Sequence, residues 1–261
     1  MTLPVVSIAG LTVTFDGRPA LADVDLTIPR AARTAVIGPN GSGKTTLLRA
    51  ISGLVTPTRG SVEVDGHRPG RADVAHVLQT TVVNEQVPLT VLEVVRMGRY
   101  AHRGVLGRLT TEDHDIVADA MGRLAISDLA SRHLRELSGG QRQRVYVAQG
   151  LAQEAAVLLL DEPITGLDMV SEDAIDRIMG EEAATGRTVV LTTHDVTTAA
   201  ACDMVVLLAT HVVAAGEPDE VLSTDHLGHA YGGQVFRTPE GTLVIGDPYH
   251  HDHEISGHDH H

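Results

Sequence analysis

The chain has 261 residues, a formal net charge of −14, one cysteine, no Trp, two Phe and four Tyr. That length allows one large domain, or one domain with an inserted subdomain. The negative balance argues against nonspecific binding to nucleic acid or anionic lipid, scarce aromatics leave few surfaces for stacking bases, and the lone Cys202 excludes an internal disulfide and fits a reducing cytosol.

The opening segment, MTLPVVSIAGLTVTFDG, has no basic leader region and reads as strand and turn rather than as a signal peptide. Thr34–Ile37 is a short β-branched run entering a Gly-rich turn, and Thr45–Ser52 reads as a helix stopped at Gly53. Ser61–Val64 and Val74–Leu78 read as strands separated by an Asp65-Gly66 turn. From Thr90 to Gln153 the texture is helical: Val91, Val94 and Val95, then Ile116, Ala120 and Leu124, recur at helix spacing. Strand signals return at Val157–Leu160, Thr188–Thr192 and Val205–Leu208. No apolar run approaches the roughly 18 to 20 residues that a bilayer span needs. Strands alternating with helices predict an α/β fold with a mostly parallel sheet covered on both faces. An all-helical insert at residues 85–150 interrupts it. Periodicity weakens after residue 216, and His250–His261 is low-complexity His/Asp sequence.

Two motifs carry chemistry. Gly38-Pro39-Asn40-Gly41-Ser42-Gly43-Lys44-Thr45 follows a strand and precedes a helix, which is the setting a phosphate-binding loop requires. Glycines let backbone N–H groups turn toward phosphates, and the helix adds its positive N-terminus. Lys44 supplies a mobile cation, and the Thr45 hydroxyl is placed to coordinate Mg²⁺. Asp161 and Glu162 close a four-residue apolar run, at the carboxyl edge of a central strand, where open α/β sheets bind ligands. Asp161 would hold Mg²⁺, directly or through water, and Glu162 would act as general base on the attacking water.

Between these motifs stands Leu137-Ser138-Gly139-Gly140-Gln141-Arg142-Gln143-Arg144, with Ser138 reading as the cap of a helix from Gln141 to Gln149. This octet, with the phosphate loop and the acidic strand end, resembles the signature of the ABC transporter ATPase family. The resemblance runs to about residue 230. It implies a P-loop NTPase (RecA-like) core, residues 1–84 and 151–230, with an N-terminal antiparallel β part. A helical signature subdomain at 85–150 and a C-terminal extension at 231–261 complete the implied organisation. It also implies ATP hydrolysis, with Gly38, Asn40, Gly41, Ser42, Gly43, Lys44, Thr45 and Thr46 contacting nucleotide. Gln79 matches the family's glutamine that senses Mg²⁺ and the transport partner, and His194 matches the histidine that contacts the γ-phosphate. Phe15 stands where the family sets an aromatic, more usually Tyr, against adenine. Thr165-Gly166-Leu167-Asp168 resembles the loop that communicates between subunits. Ser138, Gly139, Gly140 and Gln141 of one subunit would close over ATP held by another, which implies a homodimer with ATP between its halves. Two positions depart from the family pattern, Ile164 and Gln149, and neither removes a catalytic group.

With no span of its own, such an ATPase serves a separate multi-span permease, docking near residues 80–100 at the cytoplasmic face of the membrane. Val87–Tyr100 and Leu151–Ala155 resemble ATPases of zinc and manganese importers, which also work with an extracytoplasmic metal-binding protein; Gly98–Gly104 echoes importers of iron-siderophores, haem and cobalamin. The first resemblance is the closer. His250, His251, His253, His258, His260 and His261, mixed with Asp252, Glu254 and Asp259, form a composition suited to Zn²⁺. A single cassette without long heptads fits poorly with non-transport members of the family. A metallochaperone would leave the phosphate motifs unused, and the octet argues against a kinase.

Overall fold

The computed structural model describes residues 4–78, 88–104 and 107–233, together with the backbone of 235–237 and 243–245. The sequence-predicted Gln79, the segment up to Val87 and the histidine tail lie outside the described residues.

Two long strands, β1 (Pro4–Phe15) and β2 (Arg18–Pro29), form an antiparallel pair. Asp16 and Gly17 join them, both at positive φ (48° and 78°). A two-residue hairpin whose twist suits its strands needs that conformation, and Asp-Gly adopts it readily. The turn therefore leaves Phe15 at the strand end, 49% exposed. Strand β4 (Arg59–Val64) pairs with the other side of β1, giving the order β2-β1-β4.

The second sheet runs β5-β6-β7-β3-β8-β9, built from β3 (Arg33–Ile37), β5 (Val74–Val77), β6 (Val157–Leu160), β7 (Thr188–Thr192), β8 (Met204–Ala209) and β9 (His211–Gly216). All its neighbours are parallel except β8 and β9. Although Asp65 and Gly66 form the expected turn, β4 and β5 belong to different sheets; the turn ends one layer and the chain then crosses to the next.

The buried strands alternate faces with period two. Val36, Leu159, Val190 and Val206 point into a core shared with β1, β2, β4 and helix α1 (Lys44–Ile51). Their neighbours Ala35, Leu158, Val189 and Val205 face a second core, filled by helices. Those helices include α2 (Val91–Met97), α4 (Thr111–Arg123), α5 (Gly139–Ala152), α6 (Met169–Ala184), α8 (Pro218–Val221) and α9 (Thr224–Tyr231). Two short helices complete the set, α3 (Tyr100–Arg103) and α7 (Val196–Ala200). Burying both faces explains why the central strands read as unbroken apolar runs. Helix α5 begins two residues before the expected Gln141, because Ser138 caps it and both glycines already lie in its first turn. Cys202 is buried and donates to the Thr198 carbonyl at 3.4 Å; burial pushes its thiol up to about 11.

Candidate nucleotide site

Parallel strands bring their carboxyl ends to one edge, and β6, β7 and β3 are neighbours there. The phosphate loop leaves β3, Asp161 and Glu162 leave β6, and Thr192, Thr193 and His194 end β7. Residues far apart in sequence thus meet at the crevice where such sheets bind ligands.

Gly38 opens the loop with φ +152°, and a Cβ there would lie 2.0 Å from the Leu208 carbonyl oxygen. Only glycine lets the loop approach β8 so closely. At the loop's far end the N-cap of α1 is Gly43, which has no side chain to cap the helix. First-turn N–H groups have no partners within a helix and attract anions. Lys44 is buried and its Nζ donates to the Gly38 and Pro39 carbonyls at 2.8 and 3.1 Å. Burial pulls its ammonium below the ordinary lysine value, while Glu162 and Asp161 act in the opposite sense. The Ser42 Oγ is buried with no partner among the described residues, an unsatisfied polar atom inside a loop whose backbone shape suits phosphate. Asn40 and Gly41 are exposed at the loop tip, and Thr45 and Thr46 are half-buried on the first turn of α1.

A hydroxyl that the sequence reading missed links the acidic pair to β7. Thr192 Oγ1 donates to Asp161 Oδ1 at 2.6 Å and accepts from the Glu162 backbone N–H at 2.8 Å. Asp161 itself is buried, and its N–H donates to the Val77 carbonyl of β5. Glu162 has φ +47°, in the left-handed region that L residues with a Cβ avoid at a cost on the order of 1–2 kcal/mol. The bond from Thr192 holds that bend in place. His76 of β5 is a second missed residue. Its Nδ1 lies 3.0 Å from Ser52 Oγ, at the C-terminus of α1, and its Nε2 is buried with no partner among the described residues. Burial pushes its pKa down to about 4, against the attraction of nearby Asp161 and with help from Arg49. A propensity reading sees only a strand residue there; alternation around His76 in Val74-Ala75-His76-Val77 is the signal that it points toward α1.

The remaining residues form two further groups. His194 is exposed just past β7, and Asp195 behind it caps α7 by accepting from Thr197 and Thr198. Ser138 and Gln141 form a reciprocal cap on α5: Ser138 Oγ accepts from the Gln141 N–H at 3.2 Å and Gln141 Oε1 from the Ser138 N–H at 3.0 Å. Ser138 and Gly139 are exposed, whereas Gly140 is buried against the start of α6. A Cβ on Gly140 would lie 2.3 Å from Asp168 Oδ2. Asp168 caps α6, accepting from the Ser171 N–H and hydroxyl at 2.9 and 3.0 Å, and those bonds hold its carboxyl below the usual range. The structure thus brings Gly140 and Asp168 together. Arg99, at the end of the sequence-predicted docking stretch, is turned inward and only 5% exposed.

The ABC transporter family model matches residues 21–165. The manganese transport system ATP-binding protein MntA of Synechocystis is 35% identical over 234 residues, 87% of this chain and 90% of that one. The zinc transport system ATP-binding protein TroB of Treponema pallidum is 37% identical over 237 residues, 89% of each chain. Among solved structures, a chain of an inward-facing ABC transporter described as of metal-chelate type superposes with a TM-score of 0.78 at 27% identity, covering 92% of this chain and 96% of that one. A dimeric bacterial ABC transporter cassette gives 0.73 at 26%, covering 82% and 98%. With a family model that spans both the phosphate loop and the acidic strand end, and relatives matched over most of their length, the chain belongs to the ABC transporter family.

Proposed function

We propose that the chain is the ATP-hydrolysing subunit of an importer that drives zinc or manganese uptake through a separate multi-span permease. The observation that carries this reading is the near-full-length similarity to manganese and zinc transport ATPases in a chain with a complete phosphate cradle. In this reading residues 1–84 and 151–230 form the ATPase core, 85–150 the helical subdomain and 231–261 an extension. The cradle of Gly38–Thr46 holds the triphosphate, Phe15 lies against the base, and His194 contacts the terminal phosphate. Thr45, Asp161 and Gln79 would hold Mg²⁺, which when bound neutralises phosphate charge. The buried carboxylate of Asp161, fixed by Thr192 and near Lys44, suits a hard cation. Glu162 takes a proton from the attacking water. Ser138 and Gly139 are exposed at the start of α5, and a second copy would present them as the closing surface over ATP held by the first. A dimeric cassette of this fold supports that arrangement.

Among the described residues no helix is long and apolar enough to cross a membrane. In this reading the chain sits at the cytoplasmic face, held by its permease, in a system that also includes an extracytoplasmic metal-binding protein. The histidine tail would bind Zn²⁺. A metal-chelate importer is the second reading, favoured by one structural neighbour.

Metal accumulation in cells lacking the chain, profiled across zinc, manganese and iron, tests the assignment. Loss of zinc or manganese uptake is expected. Loss confined to chelated iron would move the assignment to the second reading, and an unchanged profile would refute import of these metals. The same profile in cells whose chain ends at Tyr249 should change its dependence on external zinc if the tail binds the ion.

A further inference from the structure

Helices α2 and α5 pack together, and each end of α2 is tied: its start to the segment that precedes α5, its end to the last turn of α5. At one end the backbone does the work: the N–H groups of Val91, Leu92 and Leu134 donate to the carbonyls of Arg132, Ala130 and Leu89, close before Ser138. Between the ends, Val91, Val94 and Val95 share a core with Val145, Ala148 and Leu151. At the other end the tie is made by side chains. Gly98, which ends α2, lies so near the last turn of α5 that a Cβ would sit 2.3 Å from the Gln149 carbonyl oxygen. Arg99 Nη1 donates to the Ala152 carbonyl and to Glu154, both at 2.8 Å, while its Nε donates to Asp113 Oδ1 at 2.8 Å. His102 Nε2 lies 2.6 Å from the Gln153 carbonyl. Cationic and donor groups thus converge on the carbonyls at the C-terminus of α5, where the helix dipole favours them. Gln153 in turn donates to the Arg71 and Val74 carbonyls at the start of β5.

We infer that Arg99 is a positioning residue for permease-coupled ATP hydrolysis: it locks α2 to the far end of α5, so that displacement of α2 is carried along α5 to Ser138. Helix α5 has 14 residues, a lever of about 20 Å at 1.5 Å per residue. Its pivot is the turn held by Arg99, His102 and Gln153, and its working end is the exposed cap at Ser138. Arg99 suits the pivot because a planar guanidinium serves the Asp113 carboxylate and the Ala152 carbonyl at once, which a lysine ammonium cannot match in geometry. The stretch Gly98–Gly104 is therefore explained by the fold: Gly98, Arg99, His102 and Arg103 each serve a contact inside the chain.

This inference rests on the transport reading, and its test separates the two. The chain is reconstituted with its permease in liposomes, and the stimulation factor is measured as the permease-bound ATPase rate over that of the free chain. Arg99→Lys should lower that factor by about tenfold. Arg103→Gln removes a bond to the same Asp113 but touches no group of α5, and should leave the factor unchanged. Equal losses in both variants, or no loss in Arg99→Lys, would overturn the inference. If Arg99→Lys does not fold, His102→Ala tests the same tie at its exposed edge; a drop of about threefold is expected, and an unchanged factor refutes the lever. A wild-type chain that its permease does not stimulate would refute the transport reading, and the lever with it.

Discussion

Around β3, β6 and β7 strand register does most of the positioning, aided by the Thr192 hydroxyl, whereas the far end of the α2–α5 pair is held mainly by side chains. At the strand edge, Asp161 is fixed by register with β5 and β7, and Gly38 by its contact with the Leu208 carbonyl. In the helical layer, the same service falls to caps and to the buried Arg99–Asp113 pair, which the exposed Arg103 and Glu154 extend to the surface. Register cannot be loosened without breaking a sheet. A side-chain network shifts when one member changes, so the helical layer is the part whose positioning a single substitution can alter.

The contrast is broken most severely by Glu162→Gln. Because Thr192 holds Glu162 through its backbone N–H, the exchange should leave the frame intact. ATP binding is expected to persist while phosphate release falls by about 10²–10⁴-fold. An unchanged rate would remove Glu162 from the role of base.

A smaller effect concerns pH at the strand edge. His76 is neutral in the fold down to about pH 4 but protonates in the unfolded chain near 6.5. Between those values the unfolded state binds the extra proton, so stability is present above about 6.5 and is lost as pH falls toward 4. The size is about 3 kcal/mol at roughly 1.4 kcal/mol per pK unit. Denaturant unfolding at pH 7 and pH 4.5 should show this fall, and His76→Gln should flatten it. A slope equally steep in that variant would place the titration elsewhere.

The smallest effect separates two adjacent glycines of the helical layer. A Cβ on Gly140 meets Asp168 and Ser171, while one on Gly139 meets nothing within 4 Å. In nucleotide-free thermal melts Gly140→Ala should lose about 1–3 kcal/mol, and Gly139→Ala should gain up to about 1 kcal/mol from helix propensity. Equal shifts would show that Gly140 is not packed as described.

Much of this was legible in the chain itself. Residues 34–52 announce a strand, a turn that needs glycine and a helix, all of which are local events. The four apolar residues before Asp161 announce a strand buried on both faces. Alternation gave the face of His76, but its nearness to Asp161, like the bond from Thr192, was not legible, since both come from lateral neighbours in the sheet and single-sequence patterns do not encode strand order. Gly98–Gly104 echoes one class of importer, and within it Arg99 and His102 turn to the end of α5, a long-range contact invisible to periodicity. Gly139 and Gly140 looked equivalent, and only the position of α6 distinguishes them.

The sole thiol of the chain also has a practical use. Cys202 is buried, hydrogen-bonded and held protonated far above neutral pH, so maleimide and similar reagents will find almost no thiolate there. A single cysteine introduced on the surface can then be labelled with a fluorophore or spin probe without first stripping out the native one. Probes set at either end of α5 would let its tilt be watched directly, in a protein otherwise unaltered.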